Sequence, residues 1–104
     1  MQSKEEILNY LKSIKTELKN DGIVELGLFG SFAKNKADIA SDIDIVICSS
    51  EIFIKKFNGF KALIYLDELR EKLMKKFKRQ VDICDTFSMD KEKQKELLKG
   101  AIYV

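Results

Sequence analysis

The run Asp42-Ile43-Asp44-Ile45-Val46-Ile47-Cys48 constrains this chain more than any other stretch. Side chains of a strand alternate between its two faces, so Ile43, Ile45 and Ile47 share one face and Asp42 and Asp44 the other. The β-branched residues mark the run as a strand and its isoleucine face as buried. Such a strand needs helices to cover its apolar side. It also needs something to hold two carboxylates together, because like charges on one face repel.

The rest of the chain supplies the cover. Ser3 with Glu6 three residues later forms a capping box, and Ile7, Leu8, Leu11, Ile14 and Leu18 follow at helical spacing, predicting a helix over 4–19. Asn20-Asp21-Gly22 ends it with turn chemistry. Residues 23–29 (IVELGLF) read as a mostly buried strand broken by Gly30-Ser31, with a helical turn over 32–35. Residues 49–59 read as a loop or partly ordered insertion. Leu63, Leu66, Leu69, Leu73 and Phe77 predict a long amphipathic helix over 60–77, with Leu63, Leu66 and Leu69 on its inner face. Residues 80–85 (QVDICD) repeat the period of two as a third strand, and 90–99 predict a lysine-rich helix with a wet face. The last residues, AIYV, read as an exposed apolar terminus that suggests an interface and an oligomer. The expected fold is α/β (α+β): a small three- or four-stranded sheet with helices against one face, forming a single domain over 1–104.

Composition narrows the chemistry. The chain has no His, which excludes Ser-His, Cys-His and His-ligated zinc mechanisms. A net charge of +2 in 104 residues does not mark a direct nucleic-acid binder. The basic run Lys72, Lys75, Lys76, Lys78 and Arg79 reads as the solvated, dipole-favoured end of a helix. Cys48 and Cys84, without CxxC spacing, read as reduced thiols buried in the sheet. The opening MQSKEEILNY has no apolar core of a signal peptide, and no apolar run is long enough to cross a bilayer, so a cytoplasmic protein is expected.

The chemistry must then be carried by carboxylates, hydroxyls, lysines or backbone. Asp42 and Asp44 could share a divalent cation, and hard oxygen donors suit Mg²⁺ or Mn²⁺; alternatively they are two solvated residues on a polar strand face. Asp82, between Val81 and Ile83, repeats the pattern and joins them if the strands are neighbours in register; otherwise it too is a polar-face residue. Three carboxylates can hold two metal ions about 3.5–4 Å apart, an arrangement that serves phosphoryl and nucleotidyl transfer. An EF-hand is excluded, because the third ligand and glycine positions hold Val46 and Ile47. Gly30-Ser31, between a strand and a helix, could bring backbone and a hydroxyl against a phosphate, or could be a turn glycine and a serine cap. It is neither a Walker A nor a G-x-G-x-x-G motif.

The stretch LGLFGSFAKNKADIASDIDIVI resembles the signature of the DNA polymerase beta-like nucleotidyltransferase superfamily, and within it the minimal nucleotidyltransferase (MNT) proteins, the antitoxins of two-gene toxin–antitoxin modules. The glycine-serine pair, the gap of ten residues, the serine before Asp-x-Asp and both flanking strands coincide, and 79–85 supply the third aspartate. The resemblance implies the polymerase beta-like fold, with Gly30 and Ser31 binding triphosphate and Ser41 and Lys34 beside the nucleotide. It implies Asp42 and Asp44 as metal ligands, and Asp82 as a third that also takes the acceptor hydroxyl's proton. Two Mg²⁺ ions (or Mn²⁺), ATP as donor, and transfer of AMP to a tyrosine of a helical HEPN ribonuclease toxin follow from it. The family often has Arg-Gly where this chain has Lys34-Asn35; a lysine meets phosphate as a point charge without bidentate geometry. The alternatives are an antitoxin that inhibits by occlusion alone, against which the three intact aspartates argue, and a small-molecule transferase of the aminoglycoside-modifying type, which would need a second domain for its acceptor. Tyr10, Tyr65 and Tyr103 read as packing residues rather than self-modification targets.

Overall fold

The computed structural model describes residues 3–104. Helix α1 (Lys4–Asn20) starts at the expected capping box: the Ser3 hydroxyl accepts the Glu6 N–H at 3.1 Å and donates to the Glu6 carboxylate at 3.2 Å. Its buried stripe is Ile7, Leu11, Ile14 and Leu18. Strand β1 (Glu25–Phe29) begins two residues later than its sequence suggests. Ile23 is buried and the Val24 N–H still bonds the Cys48 carbonyl, but the Val24 side chain faces solvent. The one-turn helix α2 (Gly30–Ala33) opens at Gly30 itself, and strand β2 (Ile43–Cys48) follows a loop.

Beyond β2 the expected loop over 49–59 contains helix α3 (Glu51–Lys56). The Ser50 hydroxyl caps it, accepting the Phe53 N–H, and donates to the Gly22 carbonyl at 2.6 Å. Phe53 is buried against Phe57 and Tyr65, so one anchored aromatic orders a segment too short to show periodicity. Gly22, at φ +98°, is pressed so closely by the Phe53 backbone that a Cβ would collide with it. Helix α4 (Phe60–Phe77), strand β3 (Val81–Asp85), helix α5 (Lys91–Leu97) and strand β4 (Ile102–Tyr103) complete the chain.

The strands form one mixed sheet in the order β3-β2-β1-β4. β1 pairs antiparallel with β2 and β4, and β2 runs parallel to β3 through the α3–α4 crossover that a parallel pair requires. Ile43, Ile45 and Ile47, with Leu26, Leu28 and Val81, face the stripes of α1 and α4, where Leu69, Leu73 and Phe77 are buried. The fold is that of the polymerase beta-like nucleotidyltransferases, a four-stranded mixed sheet flanked by helices.

Four further expectations are corrected. AIYV is not a free apolar end: Ile102 and Tyr103 form the edge strand β4, the Val104 N–H bonds the Leu26 carbonyl, and Ile102 and Val104 pack on the core. Only its pairing with β1 reveals this, since two residues have no period. The inner face of α4 starts with Ala62 and Tyr65, which pack on the core, and not with Leu63, which is 64% exposed. Cys48 and Cys84 are free thiols but half-buried, on the face opposite the isoleucines, where Val46 between them is fully buried. α5 also departs from the single helical layer: none of its residues is buried, and it borders Tyr103 on that opposite face. Tyr103 covers Gly27, whose hydrogen leaves room for the ring. Tyr10 stacks edge-on against Phe77, and the Tyr65 hydroxyl donates to Asp21, so all three tyrosines are packing residues. Among the described residues no helix is long and apolar enough to cross a membrane.

Candidate active site

The parallel register of β2 and β3 places Asp44 directly beside Asp82. Paired residues of neighbouring strands point the same way, so both carboxylates stand on the face opposite the isoleucines. Asp42 is exposed, one residue before β2, and two positions from Asp44. The other two act on Asp44: its carboxyl is held above the usual carboxylate range, first by burial, then by the charges of Asp82 and Asp42.

Gly30 is the fourth member. The last pair of the β1–β2 ladder, Phe29 with Asp44, brings the start of α2 against the Asp44 side chain. A Cβ on residue 30 would run into the Asp44 carboxylate, and Gly30 holds φ at +73°, so glycine is required there for both space and backbone conformation. Ser31 is half-exposed beside it, and its hydroxyl has no partner among the described residues. Because α2 has only four residues its dipole is slight; it offers single backbone N–H groups at close range.

Two of the expected nucleotide contacts sit further out. The stem of Lys34 passes within 3.4 Å of the space beside Gly100, near the turn that leads into β4, and the charges acting on Asp44 do not include it. The Ser41 hydroxyl donates to the Asp38 carboxylate at 3.2 Å and accepts the Asp38 N–H at 2.9 Å, so it closes the turn that leads to Asp42.

Sequence reasoning missed Arg79. It reads as part of a wet helix end, but Lys78 caps α4 in the left-handed conformation and turns the chain back toward the sheet. One Arg79 nitrogen then donates to the carbonyls of Asp38 (3.2 Å), Ile39 (3.1 Å) and Ser41 (2.6 Å), while the guanidinium lies 5.3 Å from the centre of the Phe32 ring. The only signal in the sequence is an arginine among lysines, the residue suited to planar, multidentate contacts.

Among the described residues no group of three or more His, Cys, Asp or Glu side chains is placed to hold a metal ion. The donor set nevertheless fits Mg²⁺, which binds through one or two carboxylates and leaves the remaining positions to water and substrate phosphate. Burial is the larger cause of the raised Asp44 pKa, and the smaller part, from the charges of Asp82 and Asp42, is what a cation beside them would relieve.

Carboxylates on one open face beside a glycine that lets backbone approach are what a triphosphate and its counter-ion need. The sequence profile described as "Nucleotidyltransferase domain" matches residues 9–104. The chain is also 31% identical over 105 aligned residues to a protein of Thermococcus cleftensis named "Protein adenylyltransferase MntA", covering all of this chain and 98% of that one. With the fold, the geometry and the matches in agreement, the chain belongs to the nucleotidyltransferase family, in its minimal nucleotidyltransferase branch.

Proposed function

We propose that this nucleotidyltransferase moves AMP from ATP onto a hydroxyl of a partner protein, acting as the antitoxin of a HEPN-type toxin, with the 104 residues as one catalytic unit. The observation that carries the reading is the juxtaposition of Asp44, Asp82 and Gly30 on one face. The full-length similarity to an enzyme named as a protein adenylyltransferase supports AMP and a protein acceptor.

In this reading Gly30 and Ser31 receive the triphosphate, by backbone N–H and by hydroxyl. Asp42 and Asp44, with Asp82, would hold Mg²⁺, which when bound neutralises triphosphate charge and makes the acceptor hydroxyl more acidic. Asp82, at the edge strand, accepts the proton of the acceptor hydroxyl. The hydroxyl oxygen bonds to the α-phosphorus, the bond from that phosphorus to the bridging oxygen breaks, and pyrophosphate leaves with the electron pair. Lys34 and Ser41 act at one remove, as a mobile charge and as the closure of the loop before Asp42.

The surface beside Asp82 favours a macromolecular acceptor. Leu63, Leu66 and Ile83 line a shallow hollow with Asp82 and the charged Asp67, Arg70 and Asp85, and Phe60 and Ile64 of α4 are also exposed. A protein lying there would cover apolar surface that a small molecule would leave wet.

The test is transfer of label from ATP labelled at the α-phosphate to a HEPN-family protein in the presence of Mg²⁺. We expect label on a tyrosine of that protein, and none with the Asp82→Asn variant. Inhibition of the HEPN protein without any label would replace this reading with occlusion.

A further inference from the structure

The loop from Lys34 to Ser41 carries the chain from the phosphate-facing turn to Asp42; Ala37 packs on the core and the Lys36 N–H bonds the Ser31 carbonyl at 2.8 Å, but little holds the stretch over 38–41. Ile39 is 90% exposed, Asn35 sits at φ +59°, and the Asp38–Ser41 hydrogen bonds close the turn only on itself. Its hydrogen bonds to sequence-distant residues, among those described, all go to Arg79. The shortest of them, 2.6 Å, is to the carbonyl of Ser41, the peptide that leads directly into Asp42. The same guanidinium stacks on Phe32, which is buried in α2 next to Ser31. The following residue, Gln80, accepts the Ile43 N–H at 2.9 Å, and Asp82 is three residues away.

We infer that Arg79 is a positioning residue: it fixes the Ser41–Asp42 peptide and the α2 turn to the start of β3, so that Asp42 is presented to the same cation and phosphate as Asp44 and Asp82. Arginine suits this place better than lysine, because its flat guanidinium can lie over an aromatic ring while one of its nitrogens donates to the carbonyls, whereas an ammonium could donate to them but has no face to rest on the ring. The inference rests on the nucleotide-site reading above and adds to it a residue outside the Gly-Ser and Asp-x-Asp motifs.

Removal of a side chain that orients a metal ligand typically lowers metal affinity by about 10–100-fold. The experiment measures, by calorimetry, the Mg²⁺ concentration that half-saturates ATP binding in wild type, Arg79→Ala, Arg79→Lys, Asp42→Asn and the Asp42→Asn/Arg79→Ala double variant. Amide hydrogen exchange over 38–43 is followed in the unliganded proteins. We expect Arg79→Ala to need on the order of tenfold more Mg²⁺ and to exchange faster over 38–43, with amides of Ile45 and Val46 unchanged. Arg79→Lys, which keeps a donor for the carbonyls but loses the face over Phe32, should recover only part of the loss, and Arg79→Ala should add nothing once Asp42 is Asn, because both changes act through one ligand. Faster exchange with unchanged Mg²⁺ dependence would overturn the inference and leave Arg79 a loop staple, with the nucleotide site intact. Absence of Mg²⁺-dependent ATP binding in the wild type would instead bring down the site reading itself, and the inference with it.

Discussion

On one face of β2, Ile43, Ile45 and Ile47 are wholly buried beneath α1 and α4; on the other, Asp44 stands beside Asp82 with no ion-pair partner among the described residues. The period of two along one strand thus divides the molecule's tasks. The isoleucine face contributes apolar burial, at about 25 cal/mol per Å² removed from water. The aspartate face gives some of that stability back, since ionising Asp44 works against both burial and two like charges. Because the faces share a backbone but not a set of contacts, changes on one should read out separately from changes on the other.

The strongest way to break this contrast is on the apolar side. Ile45→Ala leaves a void beneath both helices and should cost about 2–5 kcal/mol in urea unfolding. Gly30→Ala comes next, since it strikes where the faces meet: the methyl collides with Asp44 and must adopt φ +73°, a conformation costing about 1–3 kcal/mol. ATP-dependent stabilisation should disappear with it. Two carboxylates of β3 sharpen the comparison further. Asp85 accepts the Ser49 N–H (3.0 Å), the Ser49 hydroxyl (2.6 Å) and the Phe87 N–H (3.1 Å), so Asp85→Ala should lose about 1–3 kcal/mol, whereas Asp82→Asn should leave the unfolding midpoint nearly unchanged.

The smallest expected effect has the opposite sign. Folding raises the pKa of Asp44, so the folded chain binds this proton more readily than the unfolded one, and the penalty is full above the folded pKa. It is relieved as pH falls through the folded pKa of Asp44. Asp44→Asn should therefore raise the melting temperature slightly at pH 7, and the gap to wild type should narrow as the solution is acidified. A fall in melting temperature at pH 7 would mean that Asp44 supports the fold.

The same division explains what the sequence disclosed. β2, β3 and the lower half of α4 were legible because each carries a sustained period over a buried face, and the Gly30-Ser31 to Asp-x-Asp spacing was legible because a short backbone path links those residues. α3 escaped notice because its order comes from Phe53 docking under Gly22 and Tyr65, contacts remote in sequence. β4 escaped because two residues cannot show alternation. Arg79 escaped because backbone carbonyls leave no mark on a sequence, and its partners lie some forty residues upstream. Asp44 beside Asp82 depended on a register that alternation permitted but did not dictate.

The central claim is that the aspartate face is a nucleotide site, and melting the protein with ATP, with and without Mg²⁺, tests it most directly. Wild type should be stabilised only when both are present, by roughly 2.7 kcal/mol once ATP reaches 100 times its Kd, while Asp44→Asn should show no shift. An equal shift in both proteins, or none in the wild type, would contradict the account.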